Sequence, residues 1–160
     1  MKLTYIAELK DLNDIFNQAE KDLLFGEKLK FEKTKKWRDN SIPAFPGVYA
    51  LFEGKDKLLY IGETGNLKER MCDICRTVNH TFRKQLGYKR YGGIKSKQKF
   101  NPEIESLLDD FFGESLHIAF IKVNYGRVEI ETRLVTKYQT KLLNSVKKRK
   151  MKEELDELNA

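Results

Sequence analysis

Cysteine is scarce in this chain: Cys72 and Cys75 are its only two, and they form a single CxxC motif. A zinc ribbon requires a second pair of ligands of this kind, so this class of metal site is excluded. A redox CxxC lies where a strand leads into a helix, whereas this pair falls inside a predicted helix. We therefore interpret the two residues as small, half-buried side chains.

Long apolar runs are also missing. No segment approaches the roughly 20 apolar residues that span a bilayer. Residues 1–8 lack the long apolar core of a signal peptide. A chain of 160 residues with 40% hydrophobic and 34% charged residues is typical of one soluble domain. We expect a cytoplasmic protein that does not bind a membrane.

Acidic residues are absent from residues 80–99, in a chain with a net charge of +7 and a pI near 9.3. The seven cations of this segment are Arg83, Lys84, Lys89, Arg90, Lys95, Lys97 and Lys99. Aromatic residues and glycines lie between them, a composition that suits phosphate contact and base stacking. We predict a flexible basic loop that binds nucleic acid; the alternative is a solvated surface loop.

Hydrophobic periodicity predicts helices interspersed with short strands, and so an α+β fold with a helix at its N-terminus. The expected helices cover residues 7–25, 67–75, 79–87, 101–112 and 126–138, and the expected strands cover 48–52, 58–61 and 116–123. Residues 27–45 are expected to be irregular. The end of the chain changes sign from basic to acidic, which indicates a frayed helix or a disordered tail.

The first two strands are predicted to form a hairpin. Gly54-Lys55 suits a two-residue type II′ turn, because glycine occupies the first central position. In that register Tyr49 faces Tyr60, and the two rings are direct neighbours on one face of the sheet. The hairpin therefore makes one site from two strands.

Two charged residues are expected on the inner faces of helices. Asn66 and Glu69 form a capping box that starts a helix, and Arg70 shares the apolar face of that helix. Its partner is either a ligand phosphate or a buried carboxylate. Glu131 is likewise drawn toward the core, either as an ion-pair partner, including for Arg70, or as a metal ligand.

These elements occur in a characteristic order. Gly47-Val48-Tyr49 is followed by Tyr60-Ile61-Gly62, then by Arg70, then by Glu131 in a later helix and by Asn144 near the end. The set resembles the GIY-YIG nuclease superfamily over about residues 46–144. The resemblance implies a three-stranded antiparallel sheet flanked by helices. We expect a nuclease domain over residues 46–145, preceded by a helical extension at 1–45 and followed by a charged tail at 146–160.

The resemblance also implies metal-dependent hydrolysis of DNA phosphodiester bonds. Glu131 would bind one divalent ion, Mg²⁺ or alternatively Mn²⁺, which suits a hard carboxylate ligand. Tyr49 would act as the general base toward water, and Tyr60 would orient or assist it. Tyrosine has a reference pKa of about 10, so Arg70 would supply the positive charge that favours ionisation and would also clamp the phosphate. Asn144 would orient the phosphate or a water molecule.

The same resemblance suggests roles for three further residues. Gly47 and Gly62 would allow close approach of the backbone. Several members of the superfamily carry a histidine one helical turn after the arginine, where this chain has Ile74. The nearest residues able to supply such a group are His80 and Arg83, and we assign His80 to the candidate catalytic set.

Two alternatives remain open beside a DNA endonuclease. One is a structure-selective nickase that serves repair or recombination. The other is a catalytically silent module that binds DNA or RNA through the basic segment. No zinc finger or helix-turn-helix is evident, which favours low sequence specificity. Metal-dependent cleavage separates these classes, whereas salt-sensitive binding does not, because all of them predict it.

Overall fold

The computed structural model describes residues 2–78, 80–94 and 96–144, with the side chains described from residue 11 onward. The described part contains six helices and four strands. In chain order they are α1 (Lys2–Leu24), β1 (Leu29–Lys30), α2 (Lys35–Ser41), β2 (Gly47–Glu53), β3 (Lys57–Thr64), α3 (Leu67–Asp73), α4 (Thr81–Tyr91), α5 (Pro102–Glu114), β4 (Leu116–Lys122) and α6 (Arg127–Tyr138). The α+β class and the N-terminal helix are confirmed.

The strands form one antiparallel sheet in the order β1-β4-β2-β3. The three longer strands match the predicted sheet. The fourth strand, β1, lies in the segment that was expected to be irregular. It consists of only two residues, Leu29 paired with Ile118 and Lys30 paired with His117, so it leaves no alternating pattern in the sequence.

The central strand β2 is buried on both sides because helices cover both faces of the sheet. One apolar cluster joins Val48 and Ala50 to side chains of α1 and α6. The other joins Tyr49 and Leu51 to side chains of α2, α3, α4 and α5. Helix α1 contributes to one of the two cores, so residues before position 45 pack against the same sheet as residues after it. The predicted domain boundary at residue 45 stays a prediction.

The register of the β2–β3 hairpin differs from the expected one. Tyr49 pairs with Gly62, and Glu53 pairs with Lys57 around a three-residue turn in which Gly54 has a φ of 62°. A bulge lies between Leu51 and Phe52, so that Leu59 has no partner across the strand. The direct Tyr49–Tyr60 pair was therefore wrong. The two rings still lie on the same face as diagonal neighbours, with centroids 6.2 Å apart.

The segment predicted as a flexible basic loop is largely helical. Helix α4 continues to Tyr91 and ends at Gly92, whose φ of 69° suits glycine. Gly87 lies inside the helix, and the ring of Phe100 packs where its Cβ would be. The helix expected over residues 79–87 is thus confirmed, and the expected loop was wrong for residues 88–91. Lys95 lies outside the described residues.

A second helix, α2, also lies in the segment expected to be irregular. Its N-cap is Thr34, whose hydroxyl accepts a hydrogen bond from the backbone N–H of Trp37 at 3.2 Å. Trp37 is its only buried side chain and stacks edge-on against Phe31. With one buried residue in seven, the helix has no apolar stripe from which to predict it.

The remaining expectations concern the membrane, the charged tail and the location of the protein. No helix in the described part of the chain is long and apolar enough to cross a lipid bilayer. The charged tail at 146–160 lies outside the described residues, and a cytoplasmic location stays a prediction.

Gly47 starts β2 in a place with no room for a side chain, which generates a stability prediction. A Cβ there would overlap the carbonyl oxygen of Ile121 and lie 2.7 Å from the Cδ1 atom of Leu67. We expect Gly47→Ala to lower the free energy of unfolding by about 1–3 kcal/mol, as overpacking does. Gly65→Ala is the matched control because nothing lies near its Cβ position. Urea denaturation measures both, and equal stabilities would contradict the prediction.

Candidate active site

The site is centred on two tyrosines and a histidine that come from three elements. Tyr49 lies on β2, Tyr60 on β3, and His80 immediately before α4. The hydroxyl of Tyr49 lies 2.8 Å from Nε2 of His80. The Tyr60 ring lies 5.4 Å from the His80 ring, edge-on. Tyr49 and His80 are buried, whereas Tyr60 is half-exposed.

The local structure determines which way the hydrogen bond between His80 and Tyr49 runs. His80 is the N-cap of α4, and its Nδ1 accepts a hydrogen bond from the backbone N–H of Phe82 at 3.0 Å. A neutral imidazole that accepts at Nδ1 carries its proton on Nε2. His80 therefore donates to the Tyr49 oxygen, and the hydroxyl proton of Tyr49 is directed elsewhere.

Burial dominates the ionisation of these groups. It raises the pKa of Tyr49 well above its usual value of 10, and the neighbouring Tyr60 adds to the effect. Burial and then the charge of Glu131 raise the pKa of Tyr60 to about 12, although Arg70 and a hydrogen bond from Tyr49 oppose them. Burial and the charge of Arg70 lower the pKa of His80 to about 3, so this imidazole is neutral at physiological pH.

Arg70 places a free donor beside the tyrosines. The predicted cap holds, because the side chain of Asn66 accepts from the backbone N–H of Glu69 at 3.3 Å. Arg70 is close enough to Tyr49, Tyr60 and His80 to affect the pKa of each. Its Nε is buried and has no hydrogen-bond partner in the described part of the chain. A buried N–H without an acceptor is costly, so this atom suits an oxygen of a bound ligand.

Glu131 lies on α6 and acts on the two tyrosines through its charge. Its carboxylate charge raises the pKa of both Tyr49 and Tyr60, which places it within electrostatic reach of their hydroxyls. Among the residues that the structure describes, no group of three or more His, Cys, Asp or Glu side chains is arranged to hold a metal ion. Any ion at Glu131 would thus take most of its ligands from water and substrate.

Asn144 binds the protein backbone rather than pointing freely into the site. Its amide nitrogen donates to the carbonyl of Ile61 at 2.6 Å, and its oxygen accepts from the Ile61 N–H at 3.2 Å. The backbone N–H of Leu143 donates to the carbonyl of Leu59 at 2.7 Å. Asn144 is therefore a positioning residue in this structure, because it holds the β3 segment that carries Tyr60 and Gly62.

Gly62 fixes the position of the Tyr49 ring. The two residues are paired across the hairpin, and a Cβ at Gly62 would overlap the Tyr49 ring and its hydroxyl. The absence of a side chain lets the ring lie flat over β3. The two glycines of the motif therefore act differently: Gly47 admits a neighbouring backbone and Gly62 admits the tyrosine.

Comparison with known proteins identifies the family of the chain. A family model for the GIY-YIG catalytic domain matches residues 42–160. The chain belongs to the GIY-YIG catalytic domain family. It is similar to UvrABC system protein C from Trichormus variabilis and from a Nostoc species, at 34% identity over 79 residues in each case. Those 79 residues are 49% of this chain and 11% of each relative, and no solved structure matches the chain.

The basic residues of this GIY-YIG domain divide into two groups. Arg83 is 3% exposed, and its Nη2 lies 2.7 Å from Glu105 and 3.0 Å from Asp109. Arg90 forms two hydrogen bonds with the carboxylate of Glu53, at 2.6 and 2.9 Å. These two guanidinium groups neutralise carboxylates of the protein, so we leave them out of the proposed nucleic-acid interface. Lys89, Lys97 and Lys99 are exposed and Lys84 is half-exposed.

Sequence reasoning placed His80 in the site but missed its tautomer and its second contact. The available signal was its position directly before Thr81, at the start of a helix, where a side-chain acceptor is expected to cap. The pair formed by Arg127 and Glu63, with Nε 2.7 Å from Oε2, was also missed. It lies one helical turn from Glu131, and nothing in the local sequence marks it.

The neutral imidazole of His80 makes stability depend on pH. Its pKa is about 3 in the folded chain and about 6.5 in the unfolded one, so the unfolded chain binds the additional proton as the pH falls below 6.5. We expect the free energy of unfolding to fall by about 2 kcal/mol between pH 7 and pH 5 through this group. His80→Gln should remove that part of the loss, measured by urea denaturation at both pH values. An imidazole NMR signal of His80 that titrates near pH 6.5 would contradict it.

Proposed function

We propose that this chain is a metal-dependent endonuclease that hydrolyses DNA phosphodiester bonds. Membership of the GIY-YIG family supports a nuclease role. The observation that carries the proposal is the convergence of Tyr49, Tyr60, His80, Arg70 and Glu131, from five elements, on one small region. A carboxylate, a guanidinium donor without an acceptor and two phenols supply the three functions that phosphodiester hydrolysis needs: a metal ligand, a phosphate contact and a base.

Glu131 is the residue that would hold the divalent ion, Mg²⁺ or alternatively Mn²⁺. A single carboxylate without a surrounding cluster fits Mg²⁺, which keeps several waters and binds through one or two carboxylates plus substrate phosphate. When bound, the ion supplies charge neutralisation at the phosphate and at the leaving oxygen. Glu131 contributes to the reaction by fixing this charge next to the tyrosines.

Tyr49 is the proposed general base, and Tyr60 is its partner. The hydroxyl of Tyr49 is held by the N–H of His80, which stabilises negative charge on that oxygen. Tyr60 is half-exposed and hydrogen-bonded to Tyr49, so it links the buried hydroxyl to water. The two phenols titrate as a coupled pair, so Tyr49 acts as a base only after its own proton has left through Tyr60 to water. The resulting phenolate then takes the proton of the attacking water.

Because the pKa values of both tyrosines are raised, their ionisation depends on positive charge nearby. Burial and the carboxylate of Glu131 oppose ionisation of Tyr60, and Arg70 only partly offsets them. A cation bound at Glu131 would neutralise a charge that raises the pKa of both phenols and so keeps them protonated. The Nε of Arg70 donates to a phosphate oxygen, which satisfies an otherwise unpaired buried group.

Two alternatives to a DNA endonuclease of low specificity need to be tested by experiment. A silent nucleic-acid-binding module has no need of a carboxylate beside one buried and one half-exposed phenol, so the site favours catalysis. A structure-selective nickase uses the same chemistry and differs only in its substrate. Assays should therefore include supercoiled plasmid, branched DNA and single-stranded DNA, each with Mg²⁺, with Mn²⁺ and with EDTA.

Glu131 provides the first test of the metal. We expect Glu131→Gln to reduce the Mg²⁺-dependent nicking of supercoiled plasmid by at least about 100-fold, the scale on which loss of one transition-state contact is felt. Glu129→Gln is the matched control, because Glu129 lies on the same helix and is exposed. Equal nicking by both variants, or nicking that EDTA does not affect, would refute the proposed metal role.

Tyr49 provides the test of the base. Tyr49→Phe should lower the cleavage rate by about 10²–10⁴-fold, the usual contribution of a general base, while DNA binding is retained. Fluorescence anisotropy with labelled duplex in EDTA measures the binding, and single-turnover plasmid nicking measures the rate. Full activity in this variant would show that the base lies elsewhere.

A further inference from the structure

A groove of about 670 Å³ lies beside the candidate active site, between the α2 segment, the end of α3 and helix α5. We call it the basic groove. Five of the side chains that line it are cationic and two are anionic, a balance of +3. The cations are Lys33, Arg38, Arg76, Arg83 and Lys99, and the anions are Glu105 and Asp109.

One wall of the basic groove is an internally satisfied ion-pair network. Arg83 pairs with Glu105 and Asp109, and its Nε donates to the hydroxyl of Thr77 at 3.1 Å. Thr77 in turn donates to Glu105 at 2.7 Å. Burial raises the pKa of Glu105, but the bonds from Arg83 and Thr77 outweigh it, so the pKa is lowered and the carboxylate stays ionised. The carboxylates of this wall are therefore already engaged.

Of the remaining cations, Lys33 pairs with Asp109 at 3.8 Å, and the other three face the groove without a carboxylate partner in the described part of the chain. Arg38, Arg76 and Lys99 form no ion pair with any carboxylate in the described part of the chain. Arg38 donates only to the backbone carbonyl of Lys33, at 2.8 Å. Arg76 and Lys99 are exposed. Three like charges around one depression, with the nearby carboxylates already neutralised, attract a ligand that carries several negative charges.

Residues that line the basic groove lie close in the chain to residues of the candidate active site. Helix α3 carries Arg70 toward the tyrosines, and the residues that follow it, Cys75 and Arg76, line the groove. Val78 also lines the groove and is two residues from His80, so their Cα atoms are at most about 7 Å apart. Successive phosphates of one DNA strand advance by about 3.4 Å along the helix axis. The groove therefore lies within a few nucleotides of a phosphate bound at Arg70.

We propose that the basic groove binds the phosphate backbone of the DNA strand whose scissile phosphate is held at Arg70, through Arg38, Arg76 and Lys99. This inference rests on the proposed function and specifies the path of its substrate. The groove is open rather than enclosed, which suits a continuous polymer. The thiol of Cys75 adds no negative charge to the groove, since burial raises its pKa. The contacts carry no sequence information, in line with the expected low specificity.

The test compares two triple variants that lose the same charge. The groove variant is Arg38→Gln, Arg76→Gln and Lys99→Gln. The matched control is Lys21→Gln, Lys55→Gln and Lys141→Gln, three exposed lysines outside the groove and without ion pairs in the described part of the chain. Fluorescence anisotropy of a labelled duplex in EDTA gives the affinity of the full chain from 50 to 300 mM salt.

A plot of log affinity against log salt concentration has a negative slope for a DNA-binding protein. We expect the groove variant to make this slope shallower by about 0.9 per cation removed, and we expect the control to leave most of the slope unchanged. Equal slopes for the two triple variants would overturn the proposal. Arg76→Glu alone covers the case in which the triple variant does not fold: it should weaken binding more than Lys55→Glu does, and equal binding by these two would also overturn it.

Cleavage by the wild type separates this inference from the proposed function. A wild type that nicks plasmid, together with equal slopes for the two triple variants, refutes the groove and leaves the nuclease standing. A wild type that binds DNA with a groove-dependent slope but does not cleave it under any metal condition supports the groove, while the proposed function fails.

Discussion

The hydroxyl of Tyr49 is the constraint around which the site is built. It lies in an apolar core, where an unpaired hydroxyl would be costly, and His80 supplies its hydrogen bond. That bond joins β2 to the start of α4, and the other ring nitrogen of the same histidine caps the helix. The ring lies over Gly62, so β3 is held at a fixed distance beneath it. Sheet, helix and site geometry therefore depend on one buried phenol.

Part of this arrangement follows from the sequence and part does not. The resemblance to the GIY-YIG superfamily implied that Tyr49, Tyr60, Arg70 and Glu131 share one site. Strand alternation and helix periodicity by themselves predicted only that the two tyrosines share a face and that Arg70 and Glu131 face inward. The hairpin register was missed because the turn has three residues instead of two and because a bulge at Leu59 shifts the pairing by one residue more. Such an extra residue leaves no mark in the sequence of an apolar strand. Helix α2 was missed because a single tryptophan anchors it.

Charge was the least predictable feature, because a count of cations says nothing about their partners. Residues 80–99 contain no acid, yet Arg83 and Arg90 find carboxylates 22 to 37 residues away in sequence, at Glu105 and Glu53. The cations near the site that have no carboxylate partner among the described residues include Arg38 and Arg76, which lie outside that segment. A net charge of +7 thus indicates a polyanionic partner, but only the fold shows which side chains can meet it.

The side-chain amide of Asn144 has a consequence beyond the geometry of the site. It pairs with the N–H and carbonyl of Ile61, as a neighbouring strand would, and Leu143 continues this pairing at Leu59. β3 is the outermost strand on its side of the sheet, and open outer strands offer a template for other chains. A residue that orders a candidate active site therefore also protects the protein against edge-to-edge self-association.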